Sequence, residues 1–155
     1  HDSKIWCENR NGNHRKARLS NKTSLKDMEI VTSKNHKNEF LNKLIKLIKF
    51  KQVSFMGSIG CKIASILRGE SDIYISLSLP GKSAPKDWDL AAPAAILQAA
   101  GGAITNLDNK GLFFNQRNFE QGGIIIASSN KKFHGEICLQ IKEIIKKYNV
   151  YQLNS

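Results

Sequence analysis

Gly57-Ser58-Ile59-Gly60-Cys61-Lys62 places small residues and a serine ahead of a lysine, where an apolar run stops. Small residues at a strand-to-helix turn let backbone N–H groups and the positive helix end approach an anion. Lys62, one turn in, adds a point charge to the same anion. The stretch is neither a Walker A loop nor a dinucleotide-binding glycine turn, so it also reads as an ordinary helix start capped by Ser58. A second place is Lys86-Asp87-Trp88-Asp89-Leu90-Ala91-Ala92-Pro93. Carboxylates at a helix start are favoured by its dipole, and Asp87 reads as the N-cap. Asp89 lies beside a bulky Trp88, and Pro93 cannot donate to its carbonyl, so the first turn is loosened. Asp89 is therefore the candidate Mg²⁺ ligand, although one carboxylate is not a metal site. The third place is Ser33-Lys34-Asn35-His36-Lys37, where Ser33 or Asn35 can cap a helix and leave His36 exposed. His1, His14 and His134 sit in charged or terminal contexts and receive no role. No Ser-His-Asp, Cys-His or HExxH arrangement is present.

The 155 residues suit one domain, with 41% hydrophobic and 24% charged residues to build a core and its surface. No apolar run approaches the roughly 18 residues that span a bilayer. The start lacks a basic segment followed by an apolar one, so it is no secretory signal, and without an initiator Met it reads as part of a longer chain. Cys7, Cys61 and Cys138 are odd in number and widely spaced. This argues against a disulfide framework and for a reducing cytoplasm. The formal net charge is +11, and residues 1–51 hold 13 basic and 5 acidic side chains. Such an excess fits nucleic acid, an anionic membrane or a small polyanionic substrate. Lys43, Lys46 and Lys49 also read as the solvated face of a helix.

The elements that must position these residues alternate. A hairpin is expected around Asn11-Gly12, with strands at 28–32, 53–56, 73–77, 103–107, 112–114 and 123–127. Helices are expected at 35–50, from Ser58 to Arg68 with Gly69 as its stop, from Asp87 to Gly101-Gly102, and at 130–148. Residues 123–127 are apolar throughout, as in a strand buried on both faces. The fold class is α/β, a mixed β-sheet layered with helices on both faces, and the Asn11-Gly12 hairpin is expected to make it mixed.

Taken together these segments resemble the C-terminal half of the inositol monophosphatase superfamily of Mg²⁺-dependent phosphatases. Gly57-Ser58-Ile59-Gly60-Cys61-Lys62, Gly69-Glu70-Ser71-Asp72-Ile73-Tyr74, Trp88-Asp89-Leu90-Ala91-Ala92-Pro93 and Ala100-Gly101-Gly102 come in the family's order and spacing. The match is strongest over 57–102 and extends more weakly over 29–128. Lys62, Pro93 and His36 make the chain most similar to the 3′(2′),5′-bisphosphate nucleotidase branch. The resemblance implies that Asp89 ligates a catalytic Mg²⁺, that Gly57, Ser58 and Lys62 hold the nucleotide's phosphate, and that His36 contacts substrate. Asn35 stands where the family usually has serine, and Ser76 where some nucleotidases have arginine. The family's Asp-Pro-x-Asp-Gly-Thr cluster and upstream glutamate have no equivalent in residues 1–155. In the family that cluster binds two or three Mg²⁺ ions for in-line phosphoryl transfer.

The resemblance therefore implies that residues 1–155 are one C-terminal substrate-binding domain, carrying no catalytic residue of their own. The missing N-terminal half is the expected partner. The implied function is that of a cytoplasmic phosphatase acting on the 3′-phosphate of 3′-phosphoadenosine 5′-phosphate, or its 5′-phosphosulfate, in sulfur and nucleotide metabolism. An inositol or sugar phosphate phosphatase is the alternative within the superfamily. From another class, a basic nucleic-acid or protein-binding domain without catalysis is the rival. Nucleic-acid modules interleave aromatic with basic residues, whereas Phe40 and Phe50 fall in register with leucines on an apolar face. Neither a nucleic-acid polymer nor a membrane is an expected partner.

Overall fold

The computed structural model describes residues 5–33, 38–78 and 84–150. β1 (Trp6–Glu8) pairs antiparallel with β2 (His14–Lys16) across a turn in which Gly12 takes φ +76°. After a 3₁₀ turn at Leu25–Asp27 come β3 (Glu29–Ser33), α1 (Glu39–Ile48), β4 (Gln52–Met56), α2 (Ile59–Leu67) and β5 (Ile73–Ser78). The chain continues through α3 (Asp87–Ala99), β6 (Ala103–Asn106), β7 (Gly123–Ser128) and α4 (His134–Lys147). The main sheet has the order β4-β3-β5-β7-β6. β3 runs parallel to β4 and β5, and β7 runs antiparallel to β5 and β6. The sheet is mixed because β7 returns against β5. The hairpin forms its own two-stranded sheet instead of making the main one mixed.

Alternation along the central strands explains the layers. Ile73, Ile75 and Leu77 of β5, with Ile124 and Ile126 of β7, pack against Leu41, Leu44 and Ile48 of α1 and Ile137, Ile141 and Ile145 of α4. Tyr74, Ile125 and Ala127 face the other way, onto Ile63, Ile66 and Leu67 of α2 and Leu90, Ala94 and Leu97 of α3. Strands apolar on both faces need cover on both, and helical spacing supplies it from one stripe of each helix. β3 is followed by α1 and β4 by α2, and these helices lie on opposite faces. Adjacent parallel strands whose following helices diverge leave a crevice at their carboxyl ends.

Local chemistry accounts for the ends. Asn38 caps α1 by accepting from the Leu41 amide at 3.1 Å, and its Nδ2 donates to the Leu77 carbonyl at 2.8 Å. Gly69 ends α2 at φ +73°, where a Cβ would lie 2.6 Å from the Arg18 carbonyl oxygen. Asp72, 3% exposed, accepts from Ser20 Oγ at 2.5 Å and from both Lys22 Nζ and the Glu29 amide at 2.7 Å. That carboxylate ties the segment before β3 to the start of β5. Residues 112–114 make no strand, since the chain pairs there only through a single bridge between Thr105 and Gly111. The last helix begins at His134 because residues 131–133 form turns.

His134 is a core residue, contrary to the charged context its neighbours suggested. It is 2% exposed, with Nδ1 2.7 Å from Ser128 Oγ and Nε2 2.8 Å from Thr105 Oγ1. Thr105 spends its proton on the Asn106 carbonyl, so Nε2–H donates to Thr105 and Nδ1 accepts from Ser128. Burial pushes the His134 pKa down from 6.5 to about 4. The fold favours the neutral ring, so its stabilisation is complete above 6.5 and is lost as pH falls toward about 4. Between about pH 7.5 and 4.5 this one group should remove about 2.5 kcal/mol of stability. Urea unfolding at the two pH values should show that excess loss relative to His134→Gln. Parallel pH profiles for the two proteins would assign the titration elsewhere.

Candidate functional site

Three parallel strands end on one edge of the sheet, and two helices start there. Ser33 of β3 pairs with Met56 of β4, so Gly57 leaves the sheet at the edge where β3 also ends. Ser58 caps α2, its Oγ accepting from the Cys61 amide at 3.0 Å. Gly57 and Ser58 are exposed, and no atom lies within 4 Å of where a Gly57 Cβ would stand. α3 opens on the same edge after β5 and packs beside α2. Two positive helix ends therefore face one crevice.

Lys62 is 1% exposed. Its Nζ donates to the Gly57 carbonyl at 2.9 Å and sits 5.4 Å over the Tyr74 ring. Burial pushes the Lys62 pKa down, and the nearby Cys61 pushes it back up. The ammonium thus lies beneath the Gly57–Ser58 turn and does not project from the surface. Tyr74, 2% exposed, has its pKa raised first by burial, with a hydrogen bond to Ser76 opposing and the charge of Asp89 adding to the rise. Tyr74 stands in the field of both Lys62 and Asp89. The structure brings Gly57, Ser58, Lys62 and Asp89 to one edge.

Asp89, and not Asp87, makes the capping contact that the sequence suggested for Asp87. Lys86 is the N-cap residue of α3, and Asp87 is the first residue inside it. Asp89 makes the capping contact: the Lys86 amide donates to Asp89 Oδ2 at 3.0 Å, and the Asp89 amide donates to the Lys86 carbonyl at 2.9 Å. Asp89 is exposed, so a capping carboxylate here still meets solvent. Asp87 is buried, accepting from the Asn115 amide and from Gln121 Nε2. Cap preference could not foresee this, because the donors stand 28 and 34 positions away. Exposed Trp88 lies against Phe119, ring centroids 6.2 Å apart.

His36 and Asn35 lie outside the described residues. Lys43 and Lys46 of α1 and Lys49 at its C-cap are exposed, and α1 lies on the opposite layer from α2 and α3. The three cysteines are free thiols. Among the described residues no helix is long and apolar enough to cross a membrane.

The comparisons with known proteins agree with this architecture. Residues 4–146 match the model of the inositol monophosphatase family. The chain belongs to that family. It is similar to 3′(2′),5′-bisphosphate nucleotidase 1 of Mus musculus, at 29% identity over 107 residues covering 68% of this chain and 33% of the relative. The Homo sapiens nucleotidase of the same name is 26% identical over 119 residues, covering 76% of this chain and 36% of the relative. A solved IMPase from Thermotoga maritima shares the fold with a TM-score of 0.62 at 21% identity, covering 89% of this chain and 51% of that one. The chain spans about a third of the length of the curated relatives it matches and about half of the solved chain.

Family membership raises the question of Mg²⁺. Asp89 is an exposed hard-oxygen donor at a helix start, which suits one ligand position. No group of three His, Cys, Asp or Glu side chains is placed to hold an ion among the described residues. These residues fit one contribution to such a site and not a whole one.

Ser58→Ala should cost about 1 kcal/mol of stability and Ser58→Gly only a few tenths. Urea denaturation measures both. Equal losses would show that the Ser58 hydroxyl does not hold the start of α2.

Proposed function

We propose that residues 1–155 are the substrate-binding half of a Mg²⁺-dependent phosphomonoesterase acting on a bisphosphorylated nucleotide. The carrying observation is the convergence of two helix starts on one edge, with Lys62 buried beneath one and Asp89 exposed on the other. The similarity to nucleotidases supports a nucleotide, and 3′-phosphoadenosine 5′-phosphate or its 5′-phosphosulfate is the substrate proposed. This would place the protein in nucleotide and sulfur metabolism.

In this reading the phosphate rests against the Gly57–Ser58 turn and the N–H groups opening α2. Lys62 adds positive charge from below, and His36 contacts the substrate. Asp89 gives its carboxylate to a shared Mg²⁺ site whose remaining carboxylates come from an N-terminal half outside residues 1–155. Mg²⁺ held there would neutralise charge and activate water for in-line phosphoryl transfer. The exposed capping geometry leaves Asp89 open to solvent while fixing its direction. Inositol monophosphate is the competing substrate, favoured by Ser76 at the place where some nucleotidases carry arginine.

Lys62→Met keeps the side-chain volume and removes the charge. In the protein completed by its metal-binding half, KM for 3′-phosphoadenosine 5′-phosphate should rise about tenfold or more, the scale of a charge-assisted contact. KM for inositol monophosphate should change far less. Equal loss on both substrates, or on neither, removes Lys62 from phosphate recognition. Asp89→Asn should shift the Mg²⁺ requirement upward and collapse turnover, whereas unchanged Mg²⁺ dependence would make Asp89 a cap alone.

Residues 1–155 by themselves should release no appreciable phosphate in millimolar Mg²⁺, because one carboxylate cannot dehydrate and hold the ions. Robust metal-dependent turnover by this chain alone would sink the half-site reading.

A further inference from the structure

We propose that Asp87 is the positioning residue of this site: its buried carboxylate locks residues 113–121 onto the start of α3 and thereby fixes where Asp89 points. The inference rests on the reading of Asp89 as a ligand of the reaction centre. Asp87 is 8% exposed. Its Oδ2 accepts from the Asn115 amide at 2.5 Å, and its Oδ1 accepts from Gln121 Nε2 at 2.6 Å. Its own amide donates to the Phe119 carbonyl at 2.8 Å. Gln121, itself buried, also donates from Nε2 to the Phe113 carbonyl at 2.8 Å and from its amide to the Pro85 carbonyl at 2.8 Å. Lys86 pairs with Glu120, and the two residues form an isolated bridge.

These ties are mutually dependent. A buried carboxylate is costly unless donors satisfy it, and both donors come from a stretch that pairs only through isolated bridges. The stretch, in turn, reaches the protein through residues 85–87, through Phe119 against Trp88, and through Phe114, which packs on the layer of α2 and α3. Asp89 follows two residues later in the same helical turn, held by its reciprocal bonds with Lys86. Residues 85–88 connect the start of α3 to the 113–121 stretch, and the two carboxylate bonds of Asp87 are the buried part of that connection, so freeing Asp87 loosens the turn that aims Asp89. A residue acting only on overall stability would have no such local reach.

The Lys86 amide reports Asp89 directly, because it donates to Asp89 Oδ2. Amide hydrogen exchange on ¹⁵N-labelled residues 1–155 therefore tests the idea without any turnover. Asp87→Asn leaves one oxygen for two donors, so an NH₂ group must face either the Gln121 NH₂ group or the Asn115 amide. The Asn115 and Lys86 amides should then exchange about tenfold faster, the population change that loss of one such bond produces. Amides of the β5–β7 ladder should keep wild-type rates.

Faster exchange at Asn115 with an unchanged Lys86 rate would overturn the proposal, leaving Asp87 as an anchor for the loop alone. A uniform rise that includes the ladder amides would also overturn it, by showing a global effect. Should Asp87→Asn fail to fold, Gln121→Met removes one donor from the same carboxylate and is read by the same two rates. The phosphatase reading fails separately, if Asp89→Asn leaves the Mg²⁺ dependence of turnover unchanged.

Discussion

Strands β5 and β7 present apolar side chains to both faces of the sheet, and the rest of the architecture follows from covering them. Their ladder pairs Ile73 through Ser78 with Ser128 back to Gly123, a run with little polar surface to offer water. Each buried aliphatic side chain is worth about 1.5–3 kcal/mol only if something packs on it. α1 and α4 cover one face, and α2 and α3 cover the other. Because β3, β4 and β5 run parallel, each connection must return across the sheet, and α2 and α3 begin on the edge where the parallel strands end. The crevice is thus a consequence of burying the sheet, before any ligand is considered.

Charge is then placed inside that frame at a few points. Lys62, Asp72 and Asp87 are all buried, and each has its hydrogen-bond partners. Removing one member of such a group leaves a buried donor or acceptor unmatched, which costs more than the bond itself contributes. Asp72 binds the segment before β3 to β5, at the edge opposite the crevice. Lys62 and Asp87 do related work at the crevice, one under the Gly57–Ser58 turn and one behind Asp89. Buried polar groups with few alternatives define one geometry, so the charges at the crevice are fixed before any ligand arrives.

Family membership and the local geometry meet at Asp89. A capping carboxylate is ordinarily explained by the helix alone. Here the same group is exposed beside Trp88 and acts electrostatically on Tyr74, the ring over which Lys62 sits. Its capping bond to Lys86 sets its direction without burying it.

The sequence by itself determined the alternation of elements, both ends of α2 and the family. Periodicity in 123–127 and at Leu41, Leu44 and Ile48 is written in neighbouring residues, as are Ser58 before α2 and Gly69 after it. The motif around Trp88 and Asp89 carried the family, because small and acidic residues at that spacing are local information. What only the tertiary structure decided lies in contacts between distant positions. Asp87 and Asp89 look alike in sequence, and only Asn115 and Gln121 distinguish the buried carboxylate from the exposed one. His134 looked like a surface residue beside lysines, until Thr105 and Ser128 enclosed its ring. Leu112 to Phe114 had strand composition, yet along the free edge of β6 the chain makes only the bridge between Thr105 and Gly111 before Phe113 and Asn115 bond to Gln121 and Asp87 instead. Local propensity sets what a segment can become, and long-range burial and hydrogen bonding choose among those outcomes.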